Sequence, residues 1–148
     1  MGSLILPLSS QVYVESPTLI YSVERHPRYA LLLDPLWQAA QAGQVTTVSS
    51  TLIITEVLVM PLRHGNKDLQ ALYEAALFRA DLRLLPLTQD VLREAARLRA
   101  AIPGLRTPDA LHAATALLTG CALFLTNDAG FRRIPGLPLI VLDDVLEN

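Results

Sequence analysis

The sequence predicts a three-layer α/β/α domain around a central, mostly parallel sheet of about five strands. Three observations predict it. Short apolar runs alternate with longer helical runs from Gln11 to the end of the chain. The strand runs are apolar throughout rather than alternating, as in strands covered on both faces. No internal repeat, low-complexity tract or linker divides the 148 residues, which suffice for one domain with a real core.

Residues 1–10 read as a flexible lead-in and residues 11–148 as the single domain. Gln11 to Val14 is the first strand, with Glu15 at its end. Ser16-Pro17 is a cap-plus-proline signal, so a helix runs from Pro17 to Glu24, and His26-Pro27 breaks it. Arg28 to Ala42 is a second helix, kinked or split at Pro35 and ended by Gly43. Val45 to Val48 is a strand, and Ser49-Ser50 cap an apolar helix from Thr51 to Arg63. His64-Gly65 stops that helix, and Lys67 to Ala80 forms another. Leu82 to Leu87 is an end or edge strand because Pro86 cannot donate to a ladder. Thr88 caps a helix from Gln89 to Ala101. Thr107 is the expected N-cap of the next helix, with Pro108 in its first position and Gly120 as its left-handed cap. Ala122 to Leu125 is a buried strand, and Thr126-Asn127-Asp128 supplies turn chemistry after it. A helical piece at Ala129 to Arg133, a strand at Leu139 to Leu142 and an acidic, solvated tail close the chain.

Composition narrows the function classes. Hydrophobic residues make up 51%, which excludes disorder over most of the length. The net charge is −2, so no global basic field draws in nucleic acid, and any such partner is held locally. Lys67 is the single lysine among 12 basic residues, which leaves arginine to make phosphate contacts. Cys121 stands alone, excluding an internal disulfide and a multi-cysteine metal site. Mean hydropathy is +0.36, yet the apolar run at 110–125 is interrupted by His112 and a turn. That falls short of the roughly 20 residues a membrane span needs. The N-terminus lacks the basic start and apolar core of a signal peptide, so a cytoplasmic, non-membrane protein is expected.

Four acids carry the chemical signal. Glu56 sits within LIITEVLVM, an otherwise apolar helix, where a carboxylate is costly unless paired, protonated or bound to a cation. The plainer alternative is an ion pair with an arginine. Glu15, Asp109 and Asp128 follow strands or open a helix, and ligands of parallel α/β sheets bind at the carboxyl ends of strands. Each has its own plain explanation: a turn acid, a first-turn helix acid and a turn cap. Their joint placement is what points to a site. Crowded carboxylates repel and favour a nearby cation. One or two divalent ions can activate water and stabilise phosphodiester cleavage.

These residues resemble the PIN-domain family, in its VapC-like toxin ribonuclease form. The resemblance lies in VYVESPTLI (12–20), SSTLIITEV (49–57), PDALHAATAL (108–117) and TNDAGF (126–131), within residues 11–142. It implies a metal-dependent ribonuclease, the toxin of a toxin–antitoxin pair, leaving 5′-phosphate and 3′-hydroxyl ends. The implied catalytic residues are Glu15, Glu56, Asp109 and Asp128, with Glu15, Asp109 and Asp128 holding Mg2+ or Mn2+. Ser16, Thr126 and Asn127 are the substrate-side candidates; turn capping is the alternative for Ser16 and Thr126. His112, one turn after Asp109, is expected to pack behind the site. A homodimer and a small antitoxin partner are implied, besides RNA. The family's first acid is usually Asp, whereas this chain has Glu15. Magnesium, which demands near-ideal octahedral geometry, tolerates the extra methylene less well than manganese. Glu15 therefore favours one rival, a catalytically weak or inactive PIN domain that binds RNA or protein. A second rival, a receiver-like domain, needs a lysine after a late strand, and Lys67 lies on a helix.

Overall fold

The computed structural model describes residues 2–148; Met1, part of the expected lead-in, lies outside the described residues. Among the described residues five strands form one all-parallel sheet: β1 (Ser10–Val14), β2 (Val45–Ser50), β3 (Leu82–Leu85), β4 (Leu123–Thr126) and β5 (Leu139–Val141). The spatial order is β3-β2-β1-β4-β5, so β1 is central. Tyr13 pairs in register with Val48 on one side and Phe124 on the other.

One face of the sheet carries α1 (Ser16–Val23), α2 (Ala30–Gln41), α3 (Leu52–Arg63), α4 (Lys67–Leu77) and the C-terminal α7 (Leu142–Glu147). Leu33, Leu36, Ile53, Tyr73 and Leu77 from these helices pack on Val12, Val14 and Leu125. The opposite face carries α5 (Gln89–Ala101) and α6 (Thr107–Thr119). Val91, Ala95, Leu98, Ala110, Ala113 and Ala114 pack there on Tyr13, Val48 and Phe124. The run of alanines lets α6 approach the sheet closely, which brings its first turn to the carboxyl edge. Residues 2–9 are irregular, with Leu4 and Leu6 packed on the larger cluster.

Several local expectations are corrected. Pro35 neither splits nor ends α2, which runs unbroken through it. Thr107 is the first residue of α6 rather than its cap; Arg106 holds the N-cap position without a capping side chain. Ser50 Oγ accepts from Leu52 N, so one of the two expected serines does meet the start of α3. Thr88 and Asn66 cap α5 and α4 by accepting from Val91 N and Leu69 N. Gly120 ends α6 at φ +75°, a left-handed conformation that costs other residues dearly. The strand expected through Leu142 stops at Val141, and the expected solvated tail is α7. Leu142, Val145 and Leu146 face the core at helical spacing, so burial orders this acidic segment.

Candidate functional site

The order reverses at β1: the first crossovers lead outward to β2 and β3, and the chain then returns to place β4 on the other side of β1. Such a switch point opens a crevice at the carboxyl ends of the two strands. Glu15 stands at the end of β1 and Thr126 at the end of β4. Thr126 Oγ1 donates to Glu15 Oε1 at 2.5 Å, and both side chains are buried. The same Oγ1 accepts from Asp128 N at 3.0 Å. One threonine thereby fixes an acid on β1 and the turn that carries another.

Glu15 is 4% exposed. Burial pushes its carboxyl up to about 7, the hydrogen bond from Thr126 opposes the rise, and Asp109 and Glu56 add to it. Glu56 and Asp109 thus each lie within electrostatic reach of Glu15. Asp109, in the first turn of α6, also meets Arg106 Nε at 3.2 Å. Asp109 and Asp128 line one cleft of about 200 Å³, together with Arg106, Gly130, Phe131 and Arg133. Neither Glu15 nor Glu56 lines this cleft, and Asp128 is tied to Glu15 through Thr126. Its Oδ1 also accepts from Gly130 N at 2.8 Å, capping the short 3-10 helix Ala129–Arg133.

Glu56 is paired with His112, not with an arginine: His112 Nε2 lies 2.5 Å from Glu56 Oε1. This contact joins α3 to α6 and so links the two helical layers. On the far side of the imidazole, Tyr13 Oη lies 2.5 Å from Nδ1. Burial raises the Tyr13 phenol well above its ordinary value, so it keeps its proton at neutral pH. Tyr13 is the residue that sequence reasoning missed. Its signal was a tyrosine in a strand buried on both faces, since a buried phenol usually finds a hydrogen-bond partner.

Ser16, expected on the substrate side, is the buried first residue of α1. Asn127 is held at both ends of its amide: Nδ2 donates to Tyr29 Oη at 2.9 Å, and Oδ1 accepts from Asp143 N at 3.0 Å. Tyr29 Oη in turn donates to Asp143 Oδ1 at 2.6 Å. Burial pushes the Cys121 thiol up to about 11, which keeps it unreactive.

Among the described residues no three His, Cys, Asp or Glu side chains gather closely enough to enclose a metal ion. The donor chemistry nonetheless suits a hard divalent cation. The acids near the switch point offer carboxylate oxygens, and a buried acid raised to about 7 beside other acids is one that a cation would relieve. Magnesium is usually held by only one or two protein carboxylates, with water and phosphate completing its shell.

No curated protein is significantly similar to the chain. Solved structures share its fold. A chain of VapBC2 from Rickettsia felis, bound to a DNA fragment from its promoter, matches with a TM-score of 0.73 at 18% identity, over 88% of this chain and 98% of that one. A toxin–antitoxin complex from Klebsiella pneumoniae matches at 0.63 and 22% identity, over 88% of this chain and 96% of that one. VapC20 from Mycobacterium tuberculosis, a sarcin–ricin loop cleaving toxin, matches at 0.67 and 15% identity, over 84% of this chain and 95% of that one. The sequence also matches the PIN domain over residues 12–137. The chain belongs to the PIN domain family.

Proposed function

We propose that the protein is a metal-dependent endoribonuclease, the toxin of a toxin–antitoxin pair. The observation that carries this reading is the buried Glu15, raised to about 7 in company with Asp109 and Glu56 at the switch point of the sheet. In this reading Glu15, Asp109 and Asp128 hold a divalent cation, magnesium or manganese. Bound there, it would neutralise phosphodiester charge and make a water molecule more acidic. The protein's own groups position the substrate and move protons. Arg106 and Arg133 line the cleft and offer positive charge to phosphate. Glu56, with Oε1 engaged by His112, offers its second oxygen as a proton acceptor.

The similarity to chains from toxin–antitoxin complexes supports an antitoxin partner. A homodimer fits the exposed Met60, Leu62, Leu72 and Phe78 on and just after α3 and α4. The test is cleavage of structured RNA with magnesium, manganese or chelator, comparing the wild type with Asp109→Asn. Metal-dependent products bearing 5′-phosphate and 3′-hydroxyl ends, lost in the variant, are expected. RNA that is bound but never cut in either ion would replace this reading with a binding module. Glu15, where the family usually has the shorter aspartate, is the feature that favours that second reading.

A further inference from the structure

We infer that Tyr13 and His112 are positioning residues that hold Glu56 through one fixed histidine tautomer, with Nε2 protonated and Nδ1 bare. Only the effect on turnover rests on the nuclease reading above; the tautomer is a property of the resting protein.

The geometry allows few alternatives. An ionised carboxylate only accepts, so the ring nitrogen 2.5 Å from Glu56 Oε1 must carry hydrogen. Nδ1 lies 2.5 Å from Tyr13 Oη. The other polar side chain beside this phenol is Ser49, whose buried Oγ makes no hydrogen bond, so the Tyr13 hydrogen is turned to His112 and not to Ser49. A doubly protonated ring would have to turn the Tyr13 hydrogen onto Ser49 Oγ, an atom that stands unpaired in the structure. A ring protonated at Nδ1 alone would set a bare Nε2 against a carboxylate. The remaining arrangement runs Tyr13 O–H to Nδ1, and Nε2–H to Glu56.

The relay is also rigid. Tyr13 and His112 are 0% and 1% exposed. The Tyr13 ring stacks on Phe124 at 5.0 Å and 3°. Glu56 is the one member that reaches solvent, its side chain being 25% exposed. A flexible glutamate on a helix is thus reduced to one anchored and one available oxygen. That pre-orders its available oxygen before substrate arrives.

The test begins without metal or RNA. Protein labelled with 15N-histidine is examined by NMR at pH 7.5, where His26, His64 and His112 are the three histidines to resolve. His112 is expected as the neutral Nε2–H form, and Tyr13→Phe, which keeps the stacked ring, should mix the tautomers. An Nδ1–H form or an imidazolium in the wild type overturns the inference, as does an unchanged His112 spectrum in Tyr13→Phe. In the cleavage assay Tyr13→Phe should lower kcat about 10- to 100-fold with KM nearly constant, the range seen when a supporting hydrogen bond behind a functional group is lost. His112→Gln, which retains an N–H donor, should keep more activity than His112→Ala at similar melting temperatures. Equal losses in the two variants would make His112 a packing residue only and overturn its positioning role. Should no RNA be cut in any ion, the nuclease reading fails while the NMR result still decides the tautomer.

Discussion

Thr126 Oγ1 and Glu15 Oε1 share a hydrogen bond across 111 positions of sequence, and no solvent reaches the threonine. A buried carboxylate left without its donor bears a desolvation cost of about 1–3 kcal/mol. Thr126→Val keeps the shape and removes the hydroxyl, along with its acceptance from Asp128 N. The variant should melt several degrees lower at pH 8, at roughly 2–4 °C per kcal/mol. Thr126→Ser should restore most of the loss. Thermal melts of the three proteins decide this, and an unchanged Thr126→Val would show that water replaces the hydroxyl freely.

Glu15 sets a pH dependence with a definite sign. Its carboxyl is raised from 4.5 to about 7, chiefly by burial. Between those values the folded chain keeps a proton that the unfolded chain has released. Stability of the metal-free protein is therefore full below about pH 4.5 and is lost as pH rises through about 7. The size is on the order of 3 kcal/mol, at 1.36 kcal/mol per pKa unit. Glu15→Gln should flatten this part of the curve and melt above the wild type at pH 8. Melts in chelator from pH 5 to 8 measure it; a wild-type stability that climbs across that window contradicts the assignment.

Charge relief should also be visible at Asp109. Asp109→Asn removes one of the charges that act on Glu15, and the exposed pair it breaks with Arg106 contributes at most about 1 kcal/mol. The metal-free variant should melt at or above the wild type. Millimolar manganese should raise the wild-type melting temperature more than that of the variant, because a ligand stabilises only the state that binds it. Equal shifts in the two proteins would place the ion elsewhere. Glu15→Asp, which restores the shorter acid, should hold or raise cleavage in magnesium; its loss of activity would make glutamate the tuned length here.

Asn127 ties β4 to α7 through Asp143 N and to α2 through Tyr29. Asn127→Leu should leave Asp143 N unpaired, take one donor from Tyr29 Oη, which still donates to Asp143 Oδ1, and loosen the C-terminal helix. Hydrogen exchange at Leu142–Leu146 is expected to quicken roughly tenfold or more, for about 1–3 kcal/mol lost locally. Exchange that stays slow would show that Leu142 and its apolar neighbours hold α7 unaided.

Most of the fold was legible because helix and strand periodicity is local. The parallel sheet follows from apolar strands alternating with helices, and Gly120, Thr88 and Asn127-Asp128 mark boundaries by turn chemistry. The acid on α3 was legible too, since an apolar stretch makes Glu56 conspicuous. Its partner was not. His112 is 56 positions away, and nothing local distinguishes a histidine that meets Glu56 from one that meets solvent. The relay from Tyr13 spans 99 positions and depends on β1 lying under α6. Thr107 misled because a Thr-Pro pair suits the first turn as readily as the cap. The C-terminal helix escaped because LDDVLE is short and acidic, and only its contact with the core makes Leu142, Val145 and Leu146 a face.

The central position of β1 bears on how the protein is made. Made before the other four strands of the sheet, β1 receives one neighbour from β2 and its other only when Leu123–Thr126 emerges. Until then Glu15 lacks its donor, and neither Asp109 nor Asp128 is in place. A nascent chain therefore lacks the long-range contacts around Glu15 for most of its synthesis. Such late, long-range pairing also slows folding, because loop closure must precede the contacts that reward it.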